Sequence, residues 1–102
     1  MMGITTHVLD TSIGRPAAGV AVTLMRGDEW LASGVTDADG RWQAFDRAPA
    51  GDYHLVFSTG DYYAGASFHP RVTVEFRVGD ALENHHVPLL LSPYGYTTYR
   101  GS

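Results

Sequence analysis

An all-β fold, an antiparallel β-sandwich of seven to eight short strands with one short helix, follows from three observations on the sequence. Apolar and polar residues alternate with period two in short segments. Glycine, proline and aspartate separate those segments at short intervals. Only residues 61–68 depart from the alternation, and no repeat, linker or low-complexity tract interrupts the chain. Short strands at this spacing bury their apolar sides by packing as two facing sheets. One domain spanning residues 1–102 is expected.

The elements follow in order. Residues 4–10 alternate and form the first strand, which ends in a turn around Gly14-Arg15-Pro16. Residues 19–25 set Val20, Val22 and Leu24 against Ala21, Thr23 and Met25. The Arg26-Gly27-Asp28 turn leads into a strand over residues 29–36. Asp37-Ala38-Asp39-Gly40 is a strong turn signal, because glycine takes a positive φ at little cost. A short strand over 41–45 follows, and Pro49-Ala50-Gly51 turns the chain into another over 52–58. Residues 61–68 are aromatic and small, enough for one or two helical turns that Gly65 weakens. Residues 71–78 give the clearest strand, with Val72, Val74, Phe76 and Val78 inward. The run Leu89-Leu90-Leu91 through Thr97-Thr98 reads as strand, tight turn and strand, so the C-terminal tail is expected to be tied into a sheet.

Composition removes several classes of function. The net charge is -4, with no basic stripe, which argues against a nucleic-acid partner. All seven basic residues are arginine, so Schiff-base and P-loop lysine chemistry are excluded. The absence of cysteine removes disulfides, thiolate nucleophiles and cysteine metal sites together. No charged segment followed by an apolar stretch opens the chain and no apolar run approaches a membrane span, so no membrane association and a cytoplasmic location are expected. Five histidines without metal-ligand spacing give no metal site, and neither a Gly-x-Ser-x-Gly elbow nor a dinucleotide fingerprint is present.

Alternation also sorts the polar residues by face. Thr5, His7 and Leu9 share one side of the first strand, away from Val8. His86, Pro88 and Leu90 lie opposite His85, Val87, Leu89 and Leu91, whose all-apolar trio is the better core face. Thr97, Tyr99 and Gly101 share a side of the last strand. Taken singly, a strand histidine is most often a satisfied surface residue, Arg41 a solvated strand start and Tyr99 an interface aromatic. His54 and His69 read as structural. His85 points away from His86, which makes the pair a poor chelate.

Three features occur jointly: His7 in the first strand, the Asp39-Gly40-Arg41 turn, and the stretch from His86-Val87-Pro88-Leu89-Leu90-Leu91-Ser92-Pro93 to Tyr99-Arg100-Gly101-Ser102. Together they resemble the 5-hydroxyisourate hydrolases, the transthyretin-like enzymes of urate breakdown, over essentially the whole chain. Residues 14–60 also resemble the carboxypeptidase regulatory-like sandwich modules, which need neither His7 nor the terminal tetrapeptide. Transthyretin itself, a hormone carrier, would be expected to lack the Tyr-Arg-Gly-Ser end. The intact signature favours the enzyme.

The resemblance implies a transthyretin-like (prealbumin-like) sandwich whose first, fourth, seventh and eighth strands form one sheet. The outer face of that sheet would line a channel in a homotetramer, a dimer of dimers. His7, Arg41, His86 and Tyr99 would converge there on 5-hydroxyisourate and open it to 2-oxo-4-hydroxy-4-carboxy-5-ureidoimidazoline. On this resemblance His7 and His86 would jointly supply base and acid, and Arg41 would hold carbonyl oxygens or the oxyanion. Tyr99 would close the site, and Ser102 with its carboxylate would orient a histidine or the water. No cofactor is required.

Overall fold

A computed structural model of the chain describes residues 3–45, 48–79 and 83–101. Two sheets face each other. One contains β1 (Ile4–Asp10), β2 (Arg15–Pro16), β5 (Arg41–Phe45), β8 (His85–Leu91) and β9 (Tyr96–Thr98). The other runs β4 (Glu29–Val35), β3 (Ala21–Arg26), β6 (Gly51–Phe57), β7 (Val72–Val78), antiparallel throughout. The first sheet therefore holds the four strands expected to form one sheet.

β1 organises that sheet. One edge pairs in parallel with β8 over its whole length, from Ile4 opposite His85 to Asp10 opposite Leu91. The other edge is shared. β5 takes residues 4–7, and the two-residue β2 takes Leu9 and Asp10. The segment around Gly14-Arg15-Pro16 is thus more than the expected turn, because its far arm folds back onto the end of β1. Pro16 is tolerated there because a two-residue edge strand has little ladder for it to break.

Burial follows the alternation. Ile4, Val8, Val22, Leu24, Leu55, Phe57, Val72 and Leu89 are buried between the sheets, each stabilising the fold by roughly 1.5–3 kcal/mol relative to exposure. Polar residues on the inward faces are partnered, as burial demands. Thr6 donates its hydroxyl to the Val87 carbonyl at 2.6 Å. Asp10 is 2% exposed and accepts from Ser12 and, at 2.9 Å, from the Tyr62 hydroxyl. Burial alone would raise the Asp10 carboxyl, but the Ser12 and Tyr62 hydrogen bonds outweigh it and hold it below the usual carboxylate value.

The helix α1 (Thr59–Tyr62) is a single turn and starts two residues before the expected span of 61–68. Ala64 and Gly65 both adopt positive φ, and the Gly65 N–H bonds back to the Gly60 carbonyl at 2.8 Å, which closes the turn. Tyr62 ties this turn to β1 through its hydrogen bond to Asp10. No helix among the described residues is long and apolar enough to cross a membrane.

Candidate active site

The outer face of the β1 sheet carries a grid of side chains set by strand register. Arg41 pairs with His7, and His7 pairs with Pro88. Two residues along, Gln43 pairs with Thr5, Thr5 with His86, and His86 with Gly101. Thr98 opposes Leu89 and Gly101 opposes His86, so the same register carried along the tail sets Tyr99 opposite Pro88. Two adjacent rows result: Arg41, His7, Pro88, Tyr99 and Gln43, Thr5, His86, Gly101. Neighbouring strands lie about 4.8 Å apart, so each row spans roughly 14 Å. Leu9 and Leu90, paired with each other, continue the face as an apolar floor.

Each row position has a local cause. Arg41 enters β5 from the Asp37–Gly40 turn, in which the Asp37 carboxylate accepts from the Asp39 and Arg41 N–H groups at 2.9 and 3.0 Å. Gly40 has φ +75, and a Cβ there would stand 2.3 Å from the Val8 carbonyl oxygen. The Gly40 carbonyl in turn accepts from the Val8 N–H at 2.7 Å. Glycine therefore lets the turn press onto β1 and delivers Arg41 beside His7. The Arg41 N–H bond, with the charges of Arg41 and His7, keeps the Asp37 carboxyl below its usual value. The three guanidinium–carboxylate pairs among the described residues engage Arg26, Arg77 and Arg100, and none of them involves Arg41.

His86 is half-buried, and its Nδ1 lies 2.8 Å from the Thr5 hydroxyl. Burial first, then the nearby charges of Arg41 and His7, push its imidazole below the usual histidine value. His85 next to it is buried on the opposite face, with Nδ1 3.1 Å from the Glu83 carbonyl. The two imidazoles face apart, as alternation requires. His69 is packed edge-on between Phe68 and Tyr96.

A groove of about 570 Å³ lies against Thr5, Arg41, Gln43, Asn84 and His86 and reaches round to Thr6 and Trp42, which alternate with them on β1 and β5, and to Val35 of the other sheet. A second cleft of about 290 Å³, at the edge between the sheets, meets His86, Tyr99, Arg100 and Phe76. Strand register sets His7 beside Arg41 and on the same face as His86, but of these three only Arg41 and His86 line the groove, and Tyr99, 57% exposed, lines the neighbouring cleft instead. The tail is tied down as expected: Gly101 N–H donates to the His86 carbonyl at 2.8 Å and Arg100 pairs with Glu83 at 2.5 Å. Ser102 lies outside the described residues. Thr5 and Gln43 were legible by alternation from His7 and Arg41 but carried no chemical signal of their own. Asn84, in a loop, had no signal at all.

A sandwich of this topology, with imidazoles and a guanidinium on the outer face of one sheet, defines a transthyretin-like protein. Residues 4–101 match the model of the HIUase/Transthyretin family. The chain belongs to that family. It is 44% identical to a 5-hydroxyisourate hydrolase of Caulobacter vibrioides, with all of both chains covered. The solved 5-hydroxyisourate hydrolase of Klebsiella pneumoniae superposes with a TM-score of 0.89 at 43% identity, covering 97% of this chain and 98% of that one. Transthyretin from Sparus aurata superposes with a TM-score of 0.90 at 30% identity, covering 99% and 97%.

Proposed function

We propose that this chain hydrolyses 5-hydroxyisourate to 2-oxo-4-hydroxy-4-carboxy-5-ureidoimidazoline. The observation that carries the reading is the pair of rows, with two imidazoles and a guanidinium on three adjacent strands beside an apolar floor. Such a face is too polar for a core and too apolar for solvent. Full-length similarity to proteins named for this activity supplies the substrate class.

The chemistry needs one water. Its oxygen bonds to an amide carbonyl carbon of the six-membered ring while its proton passes to an imidazole. The tetrahedral oxyanion collapses, the C–N bond breaks, and the leaving nitrogen takes a proton from the other imidazole. A carboxylate and an N–H remain. His7 and His86 share the base and acid roles, each worth roughly 10²–10⁴-fold. Arg41 binds the carbonyl oxygens or the oxyanion through its planar fork. Tyr99 covers the bound ring, and Ser102 with its carboxylate orients a histidine or the water. His7, Arg41, Tyr99 and Ser102 together hold the substrate. No step calls on a covalent intermediate.

A single sheet face is open to water, which weakens electrostatic stabilisation of an oxyanion. Pairing two such faces encloses it, so the working form is a homotetramer, a dimer of dimers, with the chain acting as one hydrolase domain in the cytoplasm. The test generates 5-hydroxyisourate from urate in water enriched in oxygen-18 and analyses early products by mass spectrometry. The protein is expected to speed formation of a product one water heavier, with one solvent oxygen in its carboxylate. Formation at the uncatalysed rate overturns the reading.

A further inference from the structure

The His86 ring is contacted along both of its edges. On one edge the Thr5 hydroxyl lies 2.8 Å from Nδ1. On the other runs the backbone of Gly101, where an added Cβ would fall 2.5 Å from His86 Cδ2 and 3.1 Å from Pro88 Cγ. The Gly101 N–H also bonds to the His86 carbonyl at 2.8 Å, so the tail is fixed to the strand it overlies. Nδ1 and Cδ2 are the two atoms that exchange when an imidazole flips about its second side-chain torsion. A flip would put a carbon against the Thr5 hydroxyl and an unpartnered nitrogen against the Gly101 backbone, so both neighbours select the same ring orientation.

We propose that Thr5 and Gly101 are positioning residues that clamp the His86 imidazole in one orientation, engaging Nδ1 with the Thr5 hydroxyl and leaving Nε2 as the ring nitrogen available to the groove. Its consequence for turnover rests on the hydrolase reading above, but the clamp itself does not. Thr5 acts through its hydroxyl and Gly101 through its lack of a side chain, and each acts on turnover through the His86 ring. This accounts for glycine in the tail, at a position where φ is not in the left-handed region. Space against the ring, and not backbone freedom, requires it.

The decisive experiment is a long-range proton–nitrogen correlation spectrum of the His86 ring on histidine-labelled protein, at a pH where the ring is neutral. Wild type is expected to show an Nδ1 shift displaced from that of a free imidazole by its hydrogen bond. Thr5→Val, which keeps the shape and loses the hydroxyl, should move the Nδ1 shift toward the value of a free imidazole, and Thr5→Ser should restore it. Gly101→Ala should displace the ring signals while the rest of the spectrum persists. In hydrolysis of 5-hydroxyisourate, Thr5→Val and Gly101→Ala should lower kcat about tenfold or more with KM little changed, as expected for a misaligned catalytic group. An Nδ1 shift matching a free imidazole in wild type, or a Thr5→Val ring indistinguishable from wild type, overturns the clamp. If Gly101→Ala fails to fold, the wild-type spectrum and the Thr5 pair still decide. If wild type fails to speed hydrolysis, the hydrolase reading falls while the spectra judge the clamp separately.

Discussion

His86 gives up water on one side and faces cationic neighbours on the other, and both effects disfavour its protonated form. Its acid dissociation is therefore expected below the usual 6.5. The sign is definite: as pH falls, His86 should stay neutral, and able to accept a proton, to a lower pH than a solvated histidine. Titration of its ring by NMR checks this, and Arg41→Gln should move the midpoint back upward. A wild-type midpoint at or above 6.5 would contradict the arrangement. Arg41 makes a second prediction. Arg41→Lys keeps the charge but loses the fork, and turnover should fall by about 10²-fold in a steady-state assay. At this scale His7 and His86 were legible, because alternation about Val8 and about Val87-Leu89-Leu91 sends them away from the core. What escaped the sequence was the partner of the His86 ring, since Thr5 meets it only once β1 and β8 are known to pair.

Among the elements, the Asp37–Gly40 turn does the most for the site. It docks on β1 through the Val8–Gly40 bond and fixes the start of β5, so its geometry passes directly to Arg41. Gly40→Ala would force a side chain into left-handed backbone and against the Val8 carbonyl. A cost of at least about 1–3 kcal/mol is expected, seen as a Tm lowered by several degrees or more. Activity should fall further than stability, because Arg41 moves with the turn. An unchanged Tm would show that the turn does not press on β1. The turn was legible from Asp37-Ala38-Asp39-Gly40 because aspartate and glycine serve it by separate mechanisms. The β2 segment and the start of α1 were not. Two residues at a sheet edge carry no period, and α1 is placed by the Tyr62–Asp10 bond across the fold.

For the molecule as a whole, the grouping of β1, β5, β8 and β9 in one sheet joins distant segments, and no local pattern encodes it. It was reached through the family resemblance, and the register then gathers His7, Arg41 and His86. Tyr99 keeps its register opposite Pro88 yet borders the neighbouring cleft, so covering the groove would require its side chain or a second subunit to come across. The sheet ends at β9 with large aromatics exposed, Tyr94 at 82% and Tyr96 at 42%. Exposed apolar surface at a sheet edge marks an association surface. Light scattering at micromolar concentration should give four times the 11.1 kDa chain mass. A monomer mass would leave the open face without its enclosure.

Whether this face is a hydrolytic site is read most directly from the ultraviolet decay of 5-hydroxyisourate generated in situ by urate oxidase, with wild type and with His86→Asn. Wild type at catalytic concentration should accelerate the decay strongly. His86→Asn, still folded and assembled, should lose about two orders of magnitude or more of that rate. Decay at the spontaneous rate with folded wild type, or full activity in His86→Asn, would contradict a hydrolytic role for this face.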